Sequence, residues 1–249
     1  MTSFLYRAPS GIAGDVTRPD DTVVEPGLIN SAQAPTAFGA PVKLVSGKIE
    51  KIAASDLASV FAGILSRIAP SIAGDLAETF AGGTPNTESV QGIVTEGFVN
   101  VACTIGTPVR GDIVRMRVVA DTGKAVGALE ATADAVLVPG VITGTGTGTL
   151  AGTVTGETSA GTWSLVLQTT SGTSKVTVID PLGVRRADAT VGTPYTSVDG
   201  FVFTITAAGT MTAGDSFAPL VTQKNVKLSA VTWAVDGKDS SNITEIRIK

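Results

Sequence analysis

Val90-Gln-Gly-Ile-Val-Thr-Glu-Gly-Phe-Val-Asn-Val-Ala-Cys103 decides the fold class. Its β-branched and aromatic residues alternate in part with polar ones, the period of a half-buried strand. Gly92 and Gly97 interrupt the alternation, so the stretch reads as two β runs, Val90 to Val94 and Phe98 to Cys103. Similar short runs lie on either side. Val42 to Val45 and Ile49 to Ile52 flank Ser46-Gly47, a hairpin signature. Ile113 to Val119 leads through Asp121-Thr-Gly123 into Ala125 to Ala131, and Ile243-Thr-Glu-Ile-Arg-Ile248 closes the chain as a strand with one buried face. Only Ala53 to Ala81 has helical colour, with Leu57, Val60, Phe61, Ile64, Leu65 and Ile68 near a 3.6 period. Gly63 and Pro70 oppose a long helix there. The reading is a helical turn at Ser55 to Ser59, then a strand at Val60 to Ile68.

The first 40 residues carry Pro9, Pro19, Pro26, Pro35 and several glycines, so they read as an extended N-terminal arm rather than a helix or central strand. Phe4, Leu5, Tyr6, Val23, Val24, Leu28 and Ile29 make this arm too apolar for a solvated tail. It is expected to lie on its own domain or on a neighbouring subunit. The composition shifts again at Pro139. Thr143-Gly-Thr-Gly-Thr-Gly-Thr149 reads as a flexible lead-in. Val/Thr/aromatic runs at Thr162 to Gln168, Lys175 to Ile179, Phe201 to Ile205 and Phe217 to Val221 then suggest a small sandwich. After Gln223 the strand pattern of residues 41–139 resumes. The expected organisation is an arm at 1–40, a β core of 41–139 plus 223–249, and a module of 140–222 inserted late in that core. The fold class is all-β, with a jelly-roll-like or barrel-like core.

Composition narrows the chemistry. The chain has 249 residues and no histidine, which removes Ser-His-Asp triads, Cys-His dyads and imidazole metal sites. A single cysteine, Cys103, excludes an internal disulfide framework. Eighteen basic against 22 acidic side chains argue against nucleic acid as a partner. The N-terminus lacks the charged leader and apolar run of a signal peptide. Mean hydropathy is +0.32, but the uncharged stretch Ala135 to Gly156 is mostly Gly and Thr and cannot make an apolar span, so no membrane is expected.

Isolated motifs read blandly. Asp121-Thr-Gly123 matches aspartic peptidases, whose chemistry needs two carboxylates and hence a symmetric dimer here; as a β-turn it needs nothing more. Gly144, Gly146 and Gly148 do not complete a dinucleotide fingerprint. Asp236, Asp239, Asn242 and Glu245 lack EF-hand spacing and read as a polar loop. Trp163, Trp233 and Tyr195 would support sugar binding only if exposed; core packing is the commoner fate of a strand aromatic. No catalytic, cofactor or metal residue emerges.

Several segments resemble the cement, or head decoration, proteins of tailed bacteriophages. They are Gly11 to Arg18, Phe38-Gly39, Ala54 to Asp56, Phe61 to Arg67, Gly92 to Val101, Arg110 to Arg115, Gly127 to Ala131, Ala230 to Trp233 and Ile243 to Arg247. Gly161 to Leu165, Val178 to Gly183, Ala189 to Tyr195 and Ala213 to Phe217 are similar to an Ig-like domain of phage decoration and fibre proteins. Pro70 to Asn86 departs from the pattern, as a longer mobile loop or a lattice contact. The resemblance implies a structural virion protein on the outer capsid surface that ties capsomers together. Its implied partners are the major capsid protein and further copies of itself, as a dimer or trimer. The arm would make the contact, through Phe4, Leu5, Tyr6, Arg7, Ile12, Val16, Arg18, Val23 and Leu28. The rival reading is a carbohydrate- or host-surface-binding sandwich protein of the virion.

Overall fold

The computed structural model describes residues 11–67, 84–87, 89–168 and 174–249. In chain order the strands are β1 (Val23–Ile29), β2 (Pro41–Val45), β3 (Lys48–Lys51), β4 (Phe61–Leu65), β5 (Val90–Ile105), β6 (Ile113–Arg117) and β7 (Leu129–Glu130). Next come β8 (Ala135–Val138), β9 (Ile142–Thr143), β10 (Gly148–Thr153), β11 (Gly161–Thr162), β12 (Ser164–Leu167) and β13 (Lys175–Ile179). They are followed by β14 (Ala189–Thr190), β15 (Tyr195–Thr196), β16 (Val202–Ala207), β17 (Ser216–Phe217), β18 (Leu220–Gln223), β19 (Asn225–Trp233) and β20 (Ile243–Ile248). The chain divides into two compact units, 1–132 with 225–249 and 133–224.

The first unit is barrel-like, as the β patterning predicts. Its strands run β1-β3-β2-β4-β5-β20-β19-β6-β7, and two further pairings close the order on itself. Pairing of β1 with β5 closes a five-stranded barrel. Parallel pairing of β7 with β5 closes a second ring through β20, β19 and β6. Both rings share β5. The stretch expected as two runs is thus one strand of 16 residues. Gly97 explains why it stays continuous: at φ +107° it turns the strand from one ring into the other. A Cβ at Gly97 would stand 2.3 Å from the Asp21 carbonyl oxygen, so only glycine fits.

Each ring has its own filling. Ile29, Val42, Ile49, Leu65 and Ile93 form one buried cluster. A larger one gathers Val99, Val101, Cys103, Val114, Met116, Leu228, Val231, Trp233 and Ile246. Cys103 is a buried hydrophobe, as expected, and burial pushes its thiol pKa up. The predicted hairpin joins β2 to β3, with Ser46 at φ +51° and Gly47 at +76° in the turn that suits strand twist. The short helical turn falls at Ala58–Val60, three residues later than its expected start, and leads into β4.

The arm needs correction within residues 23–29. These residues form a barrel stave, antiparallel to β5 from Val23 to Leu28 and parallel to β3 at Leu28 and Ile29. Pro26 is tolerated because the β3 ladder begins only at Leu28, leaving one side of the strand unpaired at Pro26.

The second unit holds three antiparallel sheets, β10-β16-β15, β11-β18-β8 and β14-β13-β12-β17-β9. Its core is aromatic. Trp163 and Phe201 have ring centroids 4.8 Å apart, as do Tyr195 and Phe203. The Gly/Thr lead-in is not a loose linker. Asp215 Oδ1 accepts the Thr145 N–H at 2.9 Å and Oδ2 the Thr212 N–H at 2.6 Å, and β10 begins at Gly148.

Candidate functional site

The segment 11–22 lies along β5. Gly14 N donates to the Asn100 carbonyl at 2.7 Å, Asn100 N to Asp15 O at 2.9 Å, and Thr17 N to Phe98 O at 3.3 Å. On its other side, Arg67 N donates to Gly14 O at 2.8 Å. Gly14 and Gly39 touch so closely that a Cβ at Gly39 would lie 2.8 Å from the Gly14 nitrogen. This part of the expected arm therefore rests on its own domain.

The candidate residues separate accordingly. Val16 forms a bridge with Val99 and packs on the larger core. Ile12 is half-buried, and its N–H points to Asp15 Oδ2 at 3.4 Å. Val16 is likewise half-buried. Arg18 lies outside, its guanidinium 3.9 Å from the Phe98 ring centroid and 3.2 Å from Glu245 Oε2. Thr17 Oγ1 donates to the other carboxylate oxygen of Glu245. Arg247 stands 5.5 Å from the same ring. Arg18 and Val23 line one open depression of about 490 Å³ with Phe98, Glu96 and Arg247. Phe4, Leu5, Tyr6 and Arg7 lie outside the described residues, as do residues 70–83 of the Pro70 to Asn86 segment.

Leu28 belongs to an exposed, largely apolar row on the outer surface of the barrel, whereas Val23 stands opposite Glu96 in the depression beside Arg18. Cross-strand register places Val90 opposite Leu28, Leu28 beside Lys48, and Lys48 opposite Val45. Residues paired in register point to the same face. Leu28 is 43% exposed, Val90 58% and Val45 42%, and Val24 adds a further exposed side chain. Val90, Val45 and Lys48 were not legible as site residues, because only the β1–β5 and β1–β3 registers bring them to Leu28.

The other motifs are structural. Asp121 and Lys124 exchange backbone hydrogen bonds around Thr122-Gly123, and Asp121 Oδ1 accepts the Thr122 N–H at 2.8 Å. Asp239 Oδ1 accepts the N–H groups of Ser241 and Ile243, Asp236 accepts that of Arg110, and Glu245 turns to Arg18. Trp163, Trp233 and Tyr195 are all buried, so none of them offers a stacking face for sugar.

Two closed rings sharing one strand define a barrel-like all-β protein with exposed aliphatic side chains on its outer surface. Residues 1–169 match the family model of the XM1 gp53 minor capsid protein, and the chain belongs to that family. It is a bacteriophage capsid protein with a structural role in the virion. No curated protein and no solved structure matches the chain.

Proposed function

We propose that this capsid protein is a cement, or head decoration, protein that binds the outer surface of the shell at joints between capsomers. The major capsid protein is the partner, and copies act together as a dimer or trimer. The observation that carries the reading is the exposed row Val90, Leu28, Lys48 and Val45, apolar but for its one lysine, with Val24 beside it. Fully burying one Val or Leu contributes about 1.5–3 kcal/mol. A few such residues per copy bind weakly alone, but linked copies engaging many equivalent joints gain avidity. The low content of charged residues, 16%, limits the desolvation cost of covering such a surface.

Deleting the whole arm would take away the stave Val23–Ile29, so point changes make the test. Val24→Asp and Leu28→Glu change exposed positions instead. Added to cognate shells stripped of this protein, both variants should fold with wild-type melting yet fail to be retained. Retention at wild-type occupancy would reject this face. Deleting residues 2–10 separately examines Phe4, Leu5, Tyr6 and Arg7.

A further inference from the structure

In the first unit, ring closure leaves the barrel strands paired around each circuit. The three sheets of the second unit are open, and open edges invite pairing with another chain. Most of their terminal strands are blunted by shortness: β9, β11, β14 and β15 have two residues each, and β8 has four. β10 is different. It has six residues, Gly-Thr-Leu-Ala-Gly-Thr, paired in unbroken register with β16 from Gly148↔Ala207 to Thr153↔Val202.

β10 carries none of the protections that an edge strand's own sequence can supply. It has no proline, no bulge and no charged residue, and the whole stretch 135–156 is uncharged. β16 behind it carries no charge either. Among the described residues β10 hydrogen-bonds in register with β16 alone; β8 approaches it without joining the ladder, which leaves main-chain donors and acceptors of its second edge without a strand partner. Thr149, Ala151, Gly152 and Thr153 are exposed, while Leu150 is held in the core.

We propose that β10 is a self-pairing edge, through which two copies of this chain join by antiparallel β10–β10 hydrogen bonding. The occupant is a second copy because of charge. An antiparallel strand laid on its own two-fold image brings each residue near the reversed sequence, so a charged edge would meet its own kind. β10 and its neighbour are neutral and meet no such repulsion. Two-fold pairing keeps core-facing residues on one face, so centred on Ala151 it sets Ala151 opposite itself, Leu150 opposite Gly152 and Thr149 opposite Thr153, leaving little side-chain freedom to lose. The area covered by one six-residue ladder falls well short of the roughly 1,200 Å² of a stable interface. The association is therefore weak between free copies and gains from any arrangement that holds them close. This inference does not rest on the capsid reading, because it concerns the free chain.

The test is sedimentation velocity of the whole protein from about 10 µM to about 1 mM, a span that covers weak dissociation constants. The wild-type sedimentation coefficient should rise with concentration. Ala151→Lys, and independently Thr149→Lys, should shift that rise at least about tenfold in concentration while Trp163 fluorescence melting stays unchanged. Under oxidation, Ala151→Cys should form a covalent dimer faster than Leu182→Cys, whose position is 81% exposed but lies in a loop. A concentration-independent wild type, lysine variants that associate as before, or equal cross-linking at the two cysteines would each overturn the proposal.

Discussion

The side chain of Asn225 donates a hydrogen bond to Glu130 Oε2 at 2.6 Å, and both residues are buried. Glu130 is also held by Arg117, at 2.5 Å from Nε and 3.0 Å from Nη2. Asn225 reaches the Thr132 carbonyl as well, at 2.8 Å. Thr132 is the last residue of the first unit before the chain leaves it, and Asn225 is the first on its return. A buried ionic cluster therefore fastens the two ends of the insertion within the first unit.

Removing one member of such a cluster leaves the others desolvated and uncompensated. Glu130→Gln, which strands the Arg117 charge, should lower stability by about 3–5 kcal/mol. Asn225→Ala should cost about 1–3 kcal/mol. Urea unfolding read by Trp233 emission, in a Trp163→Phe background, measures both. A Glu130→Gln effect below about 1 kcal/mol would show that the cluster holds little in place.

Because Thr132 and Asn225 are already hydrogen-bonded, the insertion can be excised without stretching the barrel. Replacing 133–224 by a short Gly-Ser-Gly link should leave a cooperatively melting protein with the native Trp233 emission. The ends of the second unit are paired in turn, Ala135 with Gln223 and Val138 with Leu220. Loss of cooperative melting in the excised protein would mean that the barrel depends on its insertion.

Acid should separate the units. In the second, Asp215 is held below the usual carboxylate range, chiefly by the Thr212 amide. Burial pushes Asp180 and Asp199 up, but hydrogen bonds outweigh it: Val184, Arg186 and Leu182 for Asp180, Ser197 and Ser159 for Asp199. All three are lowered, so each adds stability that is present above the unfolded carboxylate value of about 3.9 and lost as pH falls through the lower folded value. Among the described residues of the first unit, burial likewise opposes a lowered Asp56 held by Ala53 and Lys43. Asp188 is lowered too, chiefly by its hydrogen bond to Arg185, so four such groups against one predict that the second unit unfolds first below about pH 4. Trp163 emission should change at higher pH than Trp233 emission, each read with the other tryptophan replaced by Phe. The reverse order would show that these carboxylates do not govern acid stability.

Much of the fold is encoded locally. The hairpin at Ser46-Gly47, the closing strand at Ile243–Ile248 and the burial of Trp163 and Trp233 follow from turn chemistry, alternation and side-chain size. Where expectation and structure part, a local signal is overruled from a distance. Gly97 looks like a strand breaker until Asp21 and Thr22 are seen against it, filling the space a side chain would need. Pro26 looks incompatible with a sheet until the β1–β3 ladder is found to begin two residues later, at Leu28. Among the candidate contact residues, Ile12 and Val16 look like Val23 and Leu28 in sequence; only their position on β5 separates half-buried from exposed.

The sequence alone established an all-β chain without imidazole chemistry, divided by a change of composition, because composition, period and turn residues are properties of neighbours along the chain. Tertiary structure alone decided that β1 meets β5, that Cys103 meets Leu129, and that two rings thereby close on one shared strand. Register between strands tens of residues apart depends on which faces can be buried together, and that is settled only when the rings close.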